Sequence, residues 1–222
     1  MIRTIVITGA TGALGSLTAK TFAARGHSLA LLARDSNQLD SLARELNLPG
    51  ERLFTAAVDL RDGAAVHSAG EAVLARFGGV YGLIHLVGGW TGGKTIPETS
   101  VDDFTSMLDQ HVWTTFHLFQ SFMPLLAKSG GGRVITVSPS TVSNPIPKRG
   151  AYTAAKAAQE TLMLTLAAEL KDSNVTANII QVKAIDVENK GAGATPEEIV
   201  AAMLYLFSEE ASKITGAKIP LY

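Results

Sequence analysis

The chain contains no cysteine. That one absence excludes disulfides, thiolate metal sites and cysteine nucleophiles. No uninterrupted apolar run approaches the roughly 18 residues that mark a membrane span. Neither sign of charge dominates, because 19 Lys and Arg stand against 20 Asp and Glu. No global field therefore favours nucleic acid or an anionic membrane as partner. The opening residues carry no basic segment followed by an apolar stretch and a cleavage site, so no signal peptide is read there. A cytoplasmic location is the default expectation. The Asn174-Val175-Thr176 sequon is accordingly read as incidental, since glycosylation needs a secreted chain. There is no internal repeat and no long linker. With 46% hydrophobic and 18% charged residues, 222 residues are expected to form one globular domain spanning 1–222.

Short apolar runs alternate with longer segments of helical period. Ile2–Thr8, Leu29–Ala33, Leu53–Val58, Val80–Val87, Arg133–Val137 and Val175–Val182 read as buried strands. Leu14–Arg25, Asn37–Leu46, Ala64–Phe77, Val101–Leu126 and Ala151–Leu170 read as helices, with a further one opening at Pro196. Strand and helix in regular order predict an α/β fold, a doubly wound parallel sheet covered on both faces. Three irregular stretches, Gly88–Thr99, Pro139–Gly150 and Val187–Thr195, each follow a predicted strand. All three can therefore lie on one edge, where such sheets place their sites.

Thr8-Gly9-Ala10-Thr11-Gly12-Ala13-Leu14-Gly15 follows the first strand and opens a helix. Glycine permits the tight turn, close approach of backbone to a pyrophosphate, and packing of helix on strand. The helix start offers unpaired N–H groups to phosphate. Gly9, Thr11, Gly12, Ala13, Leu14 and Gly15 are thus candidate dinucleotide contacts. The second strand ends Leu32-Ala33-Arg34-Asp35. A carboxylate at that tip would repel a 2′-phosphate, whereas the Arg34 guanidinium suits one, which favours NADP(H) over NAD(H). The competing role is a solvated arginine ahead of a helix cap at Asp35 or Ser36. Asp59, beside Leu60 after the third strand, is read either as acceptor for the adenine amino group or as a plain helix cap.

Tyr152 and Lys156 lie four apart on one helix face. A nearby ammonium stabilises a phenolate, and bringing a tyrosine from about 10 to near 7 needs roughly 4 kcal/mol. The bland alternative is an interface tyrosine and a surface lysine.

Together, Thr8–Gly15, Asp59-Leu60, Gly132–Ile135, Tyr152–Lys156 and Ile214–Gly216 resemble the short-chain dehydrogenase/reductase family over nearly the whole chain. The resemblance implies a Rossmann-like domain and hydride transfer from a nicotinamide to a small-molecule substrate. It implies Tyr152 as general acid/base, and Lys156 holding the nicotinamide ribose and tuning Tyr152. Val87, Gly88 and Ile185 would complete the cofactor contacts. It further implies a homodimer or homotetramer formed through the long helices.

Several positions depart from the family pattern. His85-Leu86-Val87-Gly88 stands where Asn-Asn-Ala-Gly is usual, and Val182-Lys183 replaces Pro-Gly. The relay asparagine falls on His111. The serine thirteen residues before the tyrosine falls on Pro139, with Ser138 and Ser140 on either side, so one of them or neither takes the role. Gly88–Gly93 with Trp90, followed by Gln110–Thr114, also looks like dihydropteridine reductase. Trp90 is read as either a site residue or a packed loop aromatic, and Trp113 as core. His27, His67, His85 and His117 form no metal-like spacing, so no metal is expected, and His85 is read as structural. The loop after Ile185-Asp186 is short. The expected activity is NADP(H)-dependent reduction of a small carbonyl or imine-like substrate. Dihydropterin reduction and a non-catalytic NADP(H) sensor are the alternatives.

Overall fold

The computed structural model describes residues 2–222. Seven strands form one wholly parallel sheet: β1 Thr4–Thr8, β2 Ser28–Ala33, β3 Leu53–Ala57, β4 Gly82–His85, β5 Gly132–Pro139, β6 Val175–Val182 and β7 Lys218–Leu221. Their spatial order is β3-β2-β1-β4-β5-β6-β7, and every neighbouring pair is parallel. This is the expected doubly wound α/β, Rossmann-like arrangement. The helices are α1 Ala13–Ala24, α2 Ser36–Leu46, α3 Gly63–Phe77, α4 Val101–Leu108, α5 Thr114–Lys128, α6 Gly150–Glu169 and α7 Pro196–Phe207.

Strand side chains alternate between the two faces, and each face has its own core. Ile5, Ile7, Leu29 and Leu31 pack with Phe22, Leu39 and Met203 from α1, α2 and α7. Val6, Ala30 and Leu32 pack on the other side with Val66, Phe122 and Met163 from α3, α5 and α6. Each fully buried Val, Leu, Ile, Phe or Met side chain among them contributes on the order of 1.5–3 kcal/mol. Both faces are covered, so the strands read as continuous apolar runs.

The strand order reverses between β1 and β4. A crevice opens there at the carboxyl ends of the strands, and the loops after β1 and β4 flank it.

Three differences from the sequence reading matter. β7 was not among the expected strands; it is four residues long, holds Pro220, and pairs only with β6 at the sheet edge, where proline is tolerated. The expected helix over 101–126 is interrupted by a π turn at Asp109–Trp113, with helical backbone on either side. Such turns often mark functional sites, and this one carries His111. Trp113 is not core but half exposed, edge-on to Phe116. It falls between the inward-facing His111 and Thr115.

Candidate active site

A cavity of about 500 Å³ runs from the glycine loop to Tyr152. The three irregular stretches flank it, through Gly89 and Trp90, Pro139 and Arg149, and Val187.

At the glycine end, Gly9 adopts φ +66, and a Cβ there would stand 3.0 Å from the Leu86 carbonyl. A Cβ on Gly15 would overlap the Gly9 carbonyl oxygen. Both positions require glycine, the first for the turn and the second for packing of α1 on β1. Gly12 caps α1 with no side-chain partner. The first N–H groups of the helix, on Ala13, Leu14 and Gly15, therefore face the cavity as unpaired donors.

A second depression continues past β2. It is lined by Gly9, Thr11 and Gly12, by Arg34, Asp59 and Leu60, and by Val87 and Gly88. The cap of α2 falls to Asp35, whose carboxylate accepts from the Gln38 N–H at 3.1 Å. Arg34 is exposed and makes no ion pair or hydrogen bond among the described residues. Asp59 is not the cap of α3; Asp62 is. The Asp59 carboxylate instead accepts from Arg61 through Nε and Nη2 at 2.6–3.0 Å, which holds its pKa down at about 2. Arg61 was missed in the sequence because nothing marked it apart from other surface arginines.

At the other end, Tyr152 and Lys156 both line the cavity from α6. Lys156 is buried, and its ammonium donates to the Val137 carbonyl at 2.8 Å and to Gln159 Oε1 at 2.6 Å. Burial pulls its pKa down to about 8, with the Glu160 carboxylate opposing. The expected acidification of Tyr152 by Lys156 is not seen. No hydrogen bond joins the two side chains, and burial raises the tyrosine pKa, opposed by the Arg149 guanidinium. Burial disfavours the phenolate more than neighbouring charge supports it, so Tyr152 keeps its proton at neutral pH.

The two candidate serines stand in different surroundings. β5 continues through Pro139, so Ser138 lies within the strand and lines the cavity, with its Oγ buried and unpartnered. Ser140 lies beyond, in a 3₁₀ turn and outside the cavity lining. His111 is buried edge-on to Tyr152, with ring centroids 5.4 Å apart. Its Nε2 donates to the Gly89 carbonyl at 2.9 Å, so its Nδ1 carries the lone pair, buried and unpartnered. Burial, and then the Lys156 charge, lower its pKa to about 4.

Behind this wall runs a buried hydrogen-bond chain that no spacing signal announced. Gln159 Nε2 donates to Thr115 Oγ1 at 2.7 Å, and Thr115 donates to the His111 carbonyl at 2.6 Å. His85 Nε2 donates to the same hydroxyl at 3.1 Å, and its Nδ1 accepts from Thr8 Oγ1 at 2.8 Å. His85 is thus a satisfied neutral residue tying β1 to α5. Burial brings its pKa down to about 3.

Trp90 forms part of the cavity wall and is 57% exposed. Ile185 also lines the cavity, and the loop beyond it is closed by a bridge to Ala194. The Asp186 carboxylate organises that loop by accepting from the Lys190 and Ala192 N–H groups at 3.0 and 2.9 Å. No cluster of three metal-ligating side chains exists among the described residues. No helix there is long and apolar enough to cross a membrane.

The short-chain dehydrogenase family model matches residues 3–197. The chain belongs to the short-chain dehydrogenase/reductase family. Members of this family are NAD(P)-dependent oxidoreductases acting on small molecules. Among similar curated proteins, 7alpha-hydroxysteroid dehydrogenase of Escherichia coli (strain K12) is 26% identical over 95% of this chain and 89% of its own. Dehydrogenase/reductase SDR family member 7B of Mus musculus is 31% identical over 79% of this chain and 55% of its own. In fold, the chain is similar to an NADPH-bound short chain oxidoreductase from Pseudomonas aeruginosa PAO1 with an atypical catalytic center. That match has a TM-score of 0.89 and 23% identity, covering 99% of this chain and 95% of the other. The chain therefore shares its architecture with that structure over nearly all of its length.

Proposed function

We infer that the protein is an NADP(H)-preferring reductase of small carbonyl compounds, with Tyr152 as proton donor. The observation that carries this reading is the single cavity joining unpaired helix N–H groups at one end to Ser138, His111 and Tyr152 at the other. The residues fit a bound dinucleotide. Ala13, Leu14 and Gly15 would hold the pyrophosphate, the free Arg34 guanidinium the 2′-phosphate, Asp59 and Leu60 the adenine, and Lys156 the nicotinamide ribose. Val87, Gly88 and Ile185 would complete the walls. NADP(H), when bound, supplies the hydride equivalent.

The chain's own residues do the rest. Ser138 donates to the substrate oxygen and polarises the carbonyl. Tyr152, kept protonated by its burial, then gives that oxygen its proton. The Lys156 ammonium has two of its protons fixed on Val137 and Gln159, which leaves one N–H for the cavity. His111, edge-on to Tyr152, would position the tyrosine ring.

The test is NADPH oxidation over a panel of carbonyls and quinonoid dihydropterin. Turnover of ordinary carbonyls supports the reductase reading. Turnover of the pterin alone supports the second reading, which the Trp90 wall favours because an aromatic face can stack on a flat heterocycle. Tight NADPH binding with no turnover would establish a sensor. By family resemblance, the long helices would mediate a homodimer or homotetramer, and a cytoplasmic location is the working expectation.

A further inference from the structure

The charge of the cavity is one-sided in a way the composition does not explain. The chain as a whole carries 20 acidic against 19 basic residues, yet none of the residues lining the cavity is acidic. Arg149, Lys156 and Lys183 all line it. Lys156 is accounted for by its acceptors on Val137 and Gln159. Arg149 and Lys183 are not, since neither forms an ion pair or side-chain hydrogen bond among the described residues.

Arg149 is the more telling of the two. It is half-buried at the start of α6, three residues before Tyr152. Its guanidinium carbon stands 6.0 Å from the centroid of the Trp90 ring. Gly92 is what lets the indole lie there, because a Cβ at that position would come within 2.6 Å of Trp90 Cζ2. The Gly93 N–H also bonds the Lys148 carbonyl at 2.8 Å, tying the Trp90 loop to the segment that carries Arg149. The guanidinium therefore lies against the Trp90 loop, and Arg149 lines the cavity together with Tyr152 on the same helix. An unpaired, partly desolvated guanidinium with five donors in a rigid fork is matched by a carboxylate.

We propose that the substrate is a small carbonyl compound bearing a carboxylate, which Arg149 binds at the cavity mouth with support from Lys183. This rests on the reductase reading for its carbonyl half only, since the anion site stands on binding alone.

The experiment uses matched pairs, 4-formylbenzoate with its methyl ester and 4-oxopentanoate with its methyl ester. Affinity is measured by calorimetry and turnover by NADPH consumption. Each acid should exceed its ester in kcat/KM by roughly tenfold or more, as a charge-assisted hydrogen bond predicts. Arg149→Gln should collapse that ratio toward one, Arg149→Lys should retain part of it, and Lys183→Gln should reduce it less. NADPH affinity should be unchanged by Arg149→Gln, and rising ionic strength should shrink the preference. If the acids bind in an Arg149-dependent manner but nothing is turned over, the carboxylate site stands and the reductase reading falls. If esters are reduced as well as acids, or the ratio survives Arg149→Gln, the carboxylate proposal is overturned while the reductase reading stands. Failure of every acid to bind overturns it too, as does loss of NADPH affinity in Arg149→Gln.

Discussion

The two ends of the cavity are built from different parts of the polypeptide. At the glycine end the available donors are mostly backbone, on Ala13, Leu14 and Gly15, with one free guanidinium on Arg34. At the tyrosine end they are side chains drawn from β5, the π turn and α6. Backbone donors are set by chain path, so this end survives wherever glycine permits the turn. Side-chain donors depend on the identity of each residue. His111 in place of asparagine and Pro139 in place of serine can therefore reorganise the second end while leaving the first intact.

The largest effect expected from that contrast is at Tyr152. Tyr152→Phe removes the proposed proton donor and keeps the ring packed against His111. kcat should fall by roughly 10²–10⁴-fold, while calorimetry still finds NADPH bound. A variant retaining most of its activity would show that the proton comes from elsewhere. Next is the choice between serines. Ser138→Ala should lower carbonyl reduction by about 10²–10³-fold if its hydroxyl polarises the substrate, and Ser140→Ala should change it little. The reverse pattern would require the end of β5 to shift when substrate binds. At the glycine end, Arg34→Ala should weaken NADPH by roughly tenfold or more and leave NADH nearly unchanged. Equal affinity of the unmutated protein for both cofactors would remove Arg34 from the site.

The same contrast governs what could be read from sequence. The glycine turn and strands β1–β6 were legible because strands covered on both faces leave continuous apolar runs, and the edge strand β3, though only half-buried, keeps such a run. β7 was not, since an edge strand of four residues with Pro220 leaves no such run. The π turn was hidden because Met107, His111, Thr114 and Leu118 all point inward, a spacing that an unbroken helix would also give. The different surroundings of Ser138 and Ser140 could not be told without knowing where β5 ends, because both have the same parity along the strand. Arg149 looked like any charge in a polar loop; only the absence of a partner and the nearness of Trp90 set it apart. Gln159 sits three residues after Lys156, but its bond to Thr115 crosses 44 residues of sequence.

The smallest expected effect concerns the buried histidines behind the tyrosine end. His85 has its pKa brought from 6.5 down to about 3, first by burial and then by the Lys156 charge. His111 is brought down to about 4, and His27 is lowered by burial and the Arg3 charge. From pH 6.5 downward, the unfolded chain takes up protons at these positions that the folded chain refuses. Stability is therefore present in full above about 6.5 and is lost as pH falls toward the folded values. Each group contributes at most about 1.4 kcal/mol per pH unit. For a chain of this size, about 1 kcal/mol corresponds to roughly 2–4 °C in Tm. Thermal melts between pH 6.5 and 5 lie above the range where most carboxylates titrate, so the histidines should dominate the slope. His85→Gln can still span Thr8 and Thr115 with an acceptor and a donor, and it should flatten the slope by one group's share. His111 and His27 would account for what is left. Parallel slopes for the variant and the unmutated protein would mean that His85 already carries a proton in the folded state. The Lys156–Gln159–Thr115–His85 chain would then need a different donor order.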